Sequence, residues 1–213
     1  MKKNCFLLFV VLFVLSAAGQ SLDYRILVNV NVDRNTSLDN SFKFVSNSSQ
    51  YLTVGVPLGL LGAGLLSHNK ILIRQGENAV VSFAISSIAT YALKTAIHRN
   101  RPFVDHPDIV KLSDGGGYSF PSGHTSAAFC LATSIAMDNK QWYIRVPVFT
   151  WAALVGYSRM HLGVHYPTDV LGGALVGAGS AIAGRKITAW LNKDKKHKQE
   201  EKQQHTATVF AML

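Results

Sequence analysis

The chain has 213 residues, of which 48% are hydrophobic and only 15% charged, and it carries a formal net charge of +9. That length fits one domain, and so few charges argue against an ordinary soluble domain, where about a quarter of residues are charged. With two cysteines there is no disulfide framework, and Cys130, set in an apolar stretch, reads as a core residue.

Met1-Lys2-Lys3, an apolar run from Cys5 to Leu15 and the small residues Ala17-Ala18-Gly19 have the form of a secretory signal cleaved after Gly19. The alternative is that residues 1–19 stay as a first membrane helix, although the run is short for one. Residues 20–50 are polar, rich in Asn and Ser, and predict an exported segment with short amphipathic helices. Residues 51–190 form the expected helical domain. Its first helix is Tyr51 to Ser67, seventeen residues without charge, followed by a turn with His68, Lys70 and Arg74. Asn78 to Leu93, Ser122 to Met137, Trp142 to Tyr157 and Thr168 to Trp190 give four more, the last with Gly172, Gly173, Gly177 and Gly179 for close helix contact. Residues 191–213 are a basic tail expected to be flexible. From Arg185 to Lys202 it holds seven Lys or Arg against three acids, a charge that could grip nucleic acid or an anionic leaflet. A solvated terminus is the simpler reading, and no nucleic-acid partner is expected.

The predicted fold is therefore all-α, a bundle of about five apolar helices embedded in a membrane, with its functional loops at one end. A soluble bundle is the alternative, because charge-free runs of thirteen to seventeen residues are short for a bilayer.

Three short blocks sit at the ends of these helices. Lys94 is followed after six residues by Arg101-Pro102; Pro121-Ser122-Gly123-His124 comes next; Ser158-Arg159 is followed after five residues by His165 and after three more by Asp169. Cations, imidazoles, a carboxylate and a glycine at a helix start are what phosphate-ester chemistry requires. Lys94, Arg101 and Arg159 suit the nonbridging oxygens. Ser122 and Gly123 precede free N–H groups at a helix N-terminus, where a phosphate is favoured. Asp169, four residues after His165 and beside the helix-starting Pro167, can hold one imidazole nitrogen so that the other attacks phosphorus. His124 is placed to protonate the leaving oxygen and then to activate water.

At these residues, over roughly Tyr51 to Trp190, the sequence resembles the type 2 phosphatidic acid phosphatase superfamily, which includes class A bacterial acid phosphatases and vanadium haloperoxidases. The resemblance implies the same roles for His165, His124 and Asp169, a phosphohistidine intermediate, and no metal or other cofactor. His161, His165 and Asp169 are spaced by four like a metal face, but Gly163 and Pro167 argue against one continuous helix there. Asp105, His106, Asp108 and the Asp114-Gly115-Gly116-Gly117 run read as a flexible rim, and His98 and Arg99 as rim charges.

If all three blocks share one side, His68 to Arg74, Lys140 to Arg145 and the Arg185 tail share the other. Those loops are basic, so the positive-inside rule turns the site outward, toward the periplasm or exterior of a bacterial envelope. The expected function is hydrolysis of a lipid phosphate, monoester or diphosphate, at the outer face of the bilayer. Phosphatidic acid, phosphatidylglycerophosphate, undecaprenyl diphosphate and lipid A phosphates are the substrates the resemblance suggests. A soluble periplasmic acid phosphatase of broad specificity is the alternative, and a vanadium-dependent haloperoxidase a more distant one.

Overall fold

The computed structural model describes residues 22–211, with side chains through residue 193. The expected leader, residues 1–19, lies outside the described residues. A short helix α1 (22–27) runs into a π-helical turn at Val28–Val32 and a 3-10 turn at Thr36–Leu38. Then follow α2 (Asp39–Leu66), α3 (Lys70–Ile97), the single turn α4 (Pro102–Asp105), α5 (Gly123–Asp138), α6 (Trp142–His161) and α7 (Pro167–Ala211). The five long helices are those expected, but they extend beyond the charge-free runs. α2 starts at Asp39, well before Tyr51, and takes in part of the segment expected to hold only short helices. α7 continues through the basic stretch to Ala211.

At 28 residues each, α2 and α3 are about 42 Å long. That removes the objection that the apolar runs are too short. Two spans, Thr36–Leu66 and Lys70–Asp105, are long and apolar enough to cross a membrane. The distribution of side chains also favours lipid. α3 buries Gly76, Asn78, Ala79, Ser82, Ser86 and Thr90 while it exposes Val80, Ile88 and Tyr91. α7 likewise exposes Leu171, Leu175 and Trp190. Small and hydroxyl residues inside with large apolar ones outside is the reverse of a water-soluble bundle, and it is what helices need when lipid is the solvent.

α5 occupies the middle, packed against α2, α3, α6 and α7. Its buried face is made of small residues, Thr125, Ser126, Ala128, Cys130, Ala132, Ser134 and Ala136, with Leu131 the one larger side chain. That slimness lets four helices surround it. The closest approach to α7 is at Gly177, where an added Cβ would lie 2.1 Å from the Ser126 carbonyl oxygen; at Gly173 it would lie 2.6 Å from that of Ser122. The chain alternates direction through the bundle. The C-termini of α3 and α6 and the N-termini of α2, α5 and α7 therefore meet at one end, where the three sequence blocks lie.

Candidate active site

The link between α6 and α7 carries His165. α6 ends at His161, and Gly163 turns the chain with φ +71°, a left-handed conformation suited to glycine. It also packs against the Val110 backbone, too close for any side chain. α7 then begins at Pro167, and Asp169 in its first turn reaches back to the Tyr166 N–H, which donates to Oδ2 at 2.8 Å. This is the reciprocal half of a capping box, and it anchors the carboxylate.

Asp169 is fully buried and His165 is 2% exposed. His165 Nδ1 lies 3.4 Å from Asp169 Oδ2, while its Nε2 lies 3.3 Å from a terminal nitrogen of Arg101. A guanidinium only donates, so Nε2 presents its lone pair and the proton resides on Nδ1, facing the carboxylate. Burial, reinforced by Arg101 and Arg159 and opposed by Asp169, lowers the His165 pKa from 6.5 to about 3. The ring is therefore neutral at pH 7.

The three cations of the sequence blocks converge on residues 113–119. Arg101 donates to the carbonyls of Gly116 at 2.9 Å, Gly117 at 3.1 Å and Val164 at 2.8 Å. Lys94 donates to the carbonyls of Tyr118 at 2.6 Å and Ser119 at 3.2 Å. Arg159 donates to Ser46 Oγ at 2.5 Å, Ser113 Oγ at 3.3 Å and the Asp114 carbonyl at 3.3 Å. Its Nε, though buried, has no hydrogen-bond partner among the described residues. The Asp114–Gly117 run, expected as a flexible rim, receives Arg101 and Arg159 on its carbonyls, and Lys94 holds the two residues that follow it. Only at Gly115 is the run crowded by the guanidinium: a Cβ there would lie 3.0 Å from Arg101.

α5 contributes the remaining block. Ser122 occupies the N-cap position but its side chain makes no capping bond; its Oγ accepts from Thr125 Oγ1 at 2.9 Å and its N–H donates to the Asp169 carbonyl at 2.9 Å. Gly123 opens the helix beside a cavity that it lines together with Lys94. His124 follows on the first turn, with Nε2 3.3 Å from the Gln50 amide nitrogen of α2. All eight predicted residues thus lie at one end of the bundle. Lys94, Arg101, Ser122, Arg159, His165 and Asp169 are joined through shared backbone and side-chain partners, while Gly123 and His124 line the adjoining cleft.

His161 does not join them. Its Nε2 lies 2.8 Å from Asp39 Oδ1 at the start of α2. The two imidazoles thus serve different carboxylates, as the break at Gly163 implied.

Three residues of the site were missed in the sequence. Arg99, expected as a rim charge, donates to Asp169 Oδ1 at 2.8 Å and to Asp23 Oδ2 at 2.8 Å. Ser119 donates to Asp169 Oδ2 at 2.5 Å and lies 3.4 Å from His165 Nδ1. Asp23 comes from α1, in the segment expected only to be exported. Position supplied a weak hint for Arg99 and Ser119, which stand two residues before Arg101 and three before Ser122. Nothing in the sequence pointed to Asp23.

An all-α membrane bundle with cations, imidazoles and a buried carboxylate gathered at one end has the organisation of a helical membrane phosphatase, and comparison with known proteins agrees. The model of the PAP2 superfamily matches residues 77–193. The chain belongs to that superfamily, and it is a phosphoric-ester hydrolase. Undecaprenyl-diphosphatase BcrC of Bacillus subtilis (strain 168) is 34% identical over 146 residues, covering 67% of this chain and 70% of that protein. Among solved structures, that of Aquifex aeolicus LpxE superimposes with a TM-score of 0.64 at 30% identity, covering 76% of this chain and 93% of that one. The transmembrane PAP2-type phosphatidylglycerolphosphate phosphatase of Bacillus subtilis gives a TM-score of 0.65 at 24% identity, covering 88% and 96%, a likeness of fold.

Proposed function

We propose that this protein removes phosphate from a lipid phosphate or diphosphate, through a phosphohistidine on His165, at the outer face of a bacterial membrane. The observation that carries the lipid part is a cleft on the bundle. Two adjoining cavities of about 300 and 240 Å³ share Phe83, Gly123 and Ala127, and lie between α3 and α5 and between α2 and α5. One reaches Lys94 and the other His124. Their walls are mostly apolar, with Val54, Phe83 and Tyr91 among the lining side chains. A lipid chain can thus stay at bilayer depth while its phosphate reaches the end of the bundle.

In the proposed reaction Nε2 of His165 attacks phosphorus, and the P–O bond to the lipid breaks. His124, charged once the bound phosphate offsets the neighbouring Arg159, Arg101 and Lys94, gives its proton to the departing oxygen. The neutral His124 then takes a proton from water, whose oxygen attacks the phosphohistidine and releases inorganic phosphate. Asp169 stabilises the proton on Nδ1 as positive charge develops on the ring. Lys94, Arg101 and Arg159 hold the nonbridging oxygens, assisted by N–H groups at the start of α5 that follow Ser122 and Gly123. Three fixed cations supply the charge that a divalent ion would otherwise provide, so the reaction is expected to need no metal. The outward orientation is supported by the basic residues of the opposite end, Lys70, Arg74, Lys140 and Arg145.

Phosphate release by purified protein tests this reading. The panel is phosphatidic acid, phosphatidylglycerophosphate, undecaprenyl diphosphate, lipid A and a soluble phosphate ester, each with and without EDTA. Preference for a lipid, undiminished by EDTA, supports it. Equal turnover of the soluble ester, or loss of activity with the chelator, counts against it.

A further inference from the structure

Residues 22–38 precede the 77–193 region that the PAP2 superfamily model matches, yet they are fastened to the catalytic end at every turn. Leu27 is fully buried against Ile109 and Tyr166. Asn31, also fully buried, accepts the Val110 N–H at 2.7 Å and donates to the carbonyls of Val110 at 3.0 Å and His161 at 2.8 Å. Tyr24 stacks on His106 with ring centroids 4.0 Å apart, and its hydroxyl donates to Asp108 at 2.7 Å.

This strap delivers Asp23, only 3% exposed, to the start of α7. Asp23 Oδ1 accepts the Thr168 N–H at 3.0 Å, and Oδ2 accepts the Thr168 hydroxyl. Oδ2 also receives one arm of Arg99, whose other arm reaches Thr168 Oγ1 at 2.7 Å and Asp169 Oδ1 at 2.8 Å. The guanidinium carbon lies 4.0 Å from the Tyr166 ring centroid. Arg99 is thus gripped on three sides. Its bond to Oδ1 sets the rotation of the Asp169 carboxylate, so that Oδ2 is the oxygen left for Ser119, the Tyr166 N–H and His165. A fork held between two carboxylates is a rigid device, and a lysine could not reproduce it.

We propose that Asp23 and Arg99 are positioning residues for phosphate transfer: the N-terminal strap holds Arg99 through Asp23, and Arg99 orients Asp169 and thereby His165. Neither touches the reacting atoms. The inference rests on the assignment of His165 as nucleophile.

The test uses the full chain in detergent and the lipid phosphate of the above panel that it turns over fastest. Asp23→Asn, Arg99→Ala, Arg99→Lys and the double variant Asp23→Asn/Arg99→Ala are compared for kcat, KM and thermal midpoint. A misaimed catalytic group commonly costs about 100-fold, so Arg99→Ala should lower kcat about that much and Asp23→Asn about 10-fold, with KM within about twofold. Arg99→Lys should not restore it. The double variant should match Arg99→Ala alone, because Asp23 acts only through Arg99. Thr168→Val, which removes one tie and keeps the packing, provides a milder variant should Asp23→Asn fold poorly; it should lower kcat severalfold at unchanged KM. Tyr24→Phe, a strap change away from Arg99, should retain wild-type kcat. Wild-type kcat in Asp23→Asn or Thr168→Val, or independent losses that multiply in the double variant, would overturn the proposal. His165→Ala separates the two ideas: if it still releases phosphate, the nucleophile assignment fails. If it is inactive while Asp23→Asn and Arg99→Ala behave as wild type, only the positioning role fails.

Discussion

Ser119 Oγ lies 2.5 Å from Asp169 Oδ2, and the same serine ties the backbone around it, its N–H donating to the Arg99 carbonyl at 2.7 Å and its carbonyl accepting from Lys94 at 3.2 Å. One fully buried residue therefore links the carboxylate beside His165 to two elements of the cationic block. Ser119→Ala keeps the backbone bonds and deletes the one to Asp169. A hydrogen bond to a buried charge contributes about 1.5–3 kcal/mol, so the thermal midpoint should fall measurably and kcat should drop about 10-fold. Unchanged kcat and midpoint would show that Asp169 does not need this donor.

The two imidazoles should fail differently. In His165→Ala no phosphoenzyme forms, and phosphate release should fall by three orders of magnitude or more, on the order of a lost nucleophile. In His124→Ala attack is still possible on a substrate with an easily expelled aryl leaving group, but the intermediate lacks its base. Labelled phosphate should then accumulate on the protein, and steady-state turnover should fall about 100-fold or more. Quench experiments with a labelled aryl phosphate read both; label on His165→Ala, or none on His124→Ala, would contradict the division of roles.

Burial lowers the His165 pKa from 6.5 to about 3, and the sign of the consequence follows. Between those values the unfolded chain binds the proton and the folded one does not. Acid thus favours unfolding, and the stability present above pH 6.5 is lost progressively as pH falls toward 3. Thermal midpoints taken from pH 7 to pH 4.5 should decline less in His165→Gln than in wild type. Parallel declines would mean that the ring is not held neutral by its burial.

Helix contact supplies a paired stability test. A Cβ at Gly173 would press on the Ser122 carbonyl at 2.6 Å and on Thr125 Cβ at 3.1 Å, whereas one at Gly179 meets nothing within 4 Å. Gly173→Ala should cost about 1–3 kcal/mol, as overpacking does, and should lower activity because it displaces the start of α5 beside His124. Gly179→Ala should be neutral or stabilise by up to about 1 kcal/mol through helix propensity. Equal thermal midpoints for the two variants would show that α5 and α7 yield at Gly173.

Much of this protein was legible in the sequence because the information is local. Charge-free runs marked five helices, and the three blocks at their ends named the groups that the fold gathers at one end of the bundle. Pro167 and Asp169 announced a helix start, and Gly163 a break, from residue type alone. Helix lengths were underestimated because the ends of α2 and α3 carry charged and polar residues such as Asp39, Lys43, Lys70 and Arg74, which break a charge-free run without breaking a helix. Arg99 looked like a spare cation, since its partners are 70 and 76 residues away. The same holds for the Asp114–Gly117 run, whose carbonyls acquire meaning only when Arg101 and Arg159, distant in sequence from it, arrive on them.

By itself the sequence determined which chemistry is present and at which helix ends, because residue type, spacing and hydropathy are properties of short stretches. Only the tertiary structure decided which charges neutralise one another and which oxygen of Asp169 faces His165. It also decided that a strap before the bundle reaches the site, because burial and hydrogen-bond geometry arise when distant segments are brought within about 3 Å of each other.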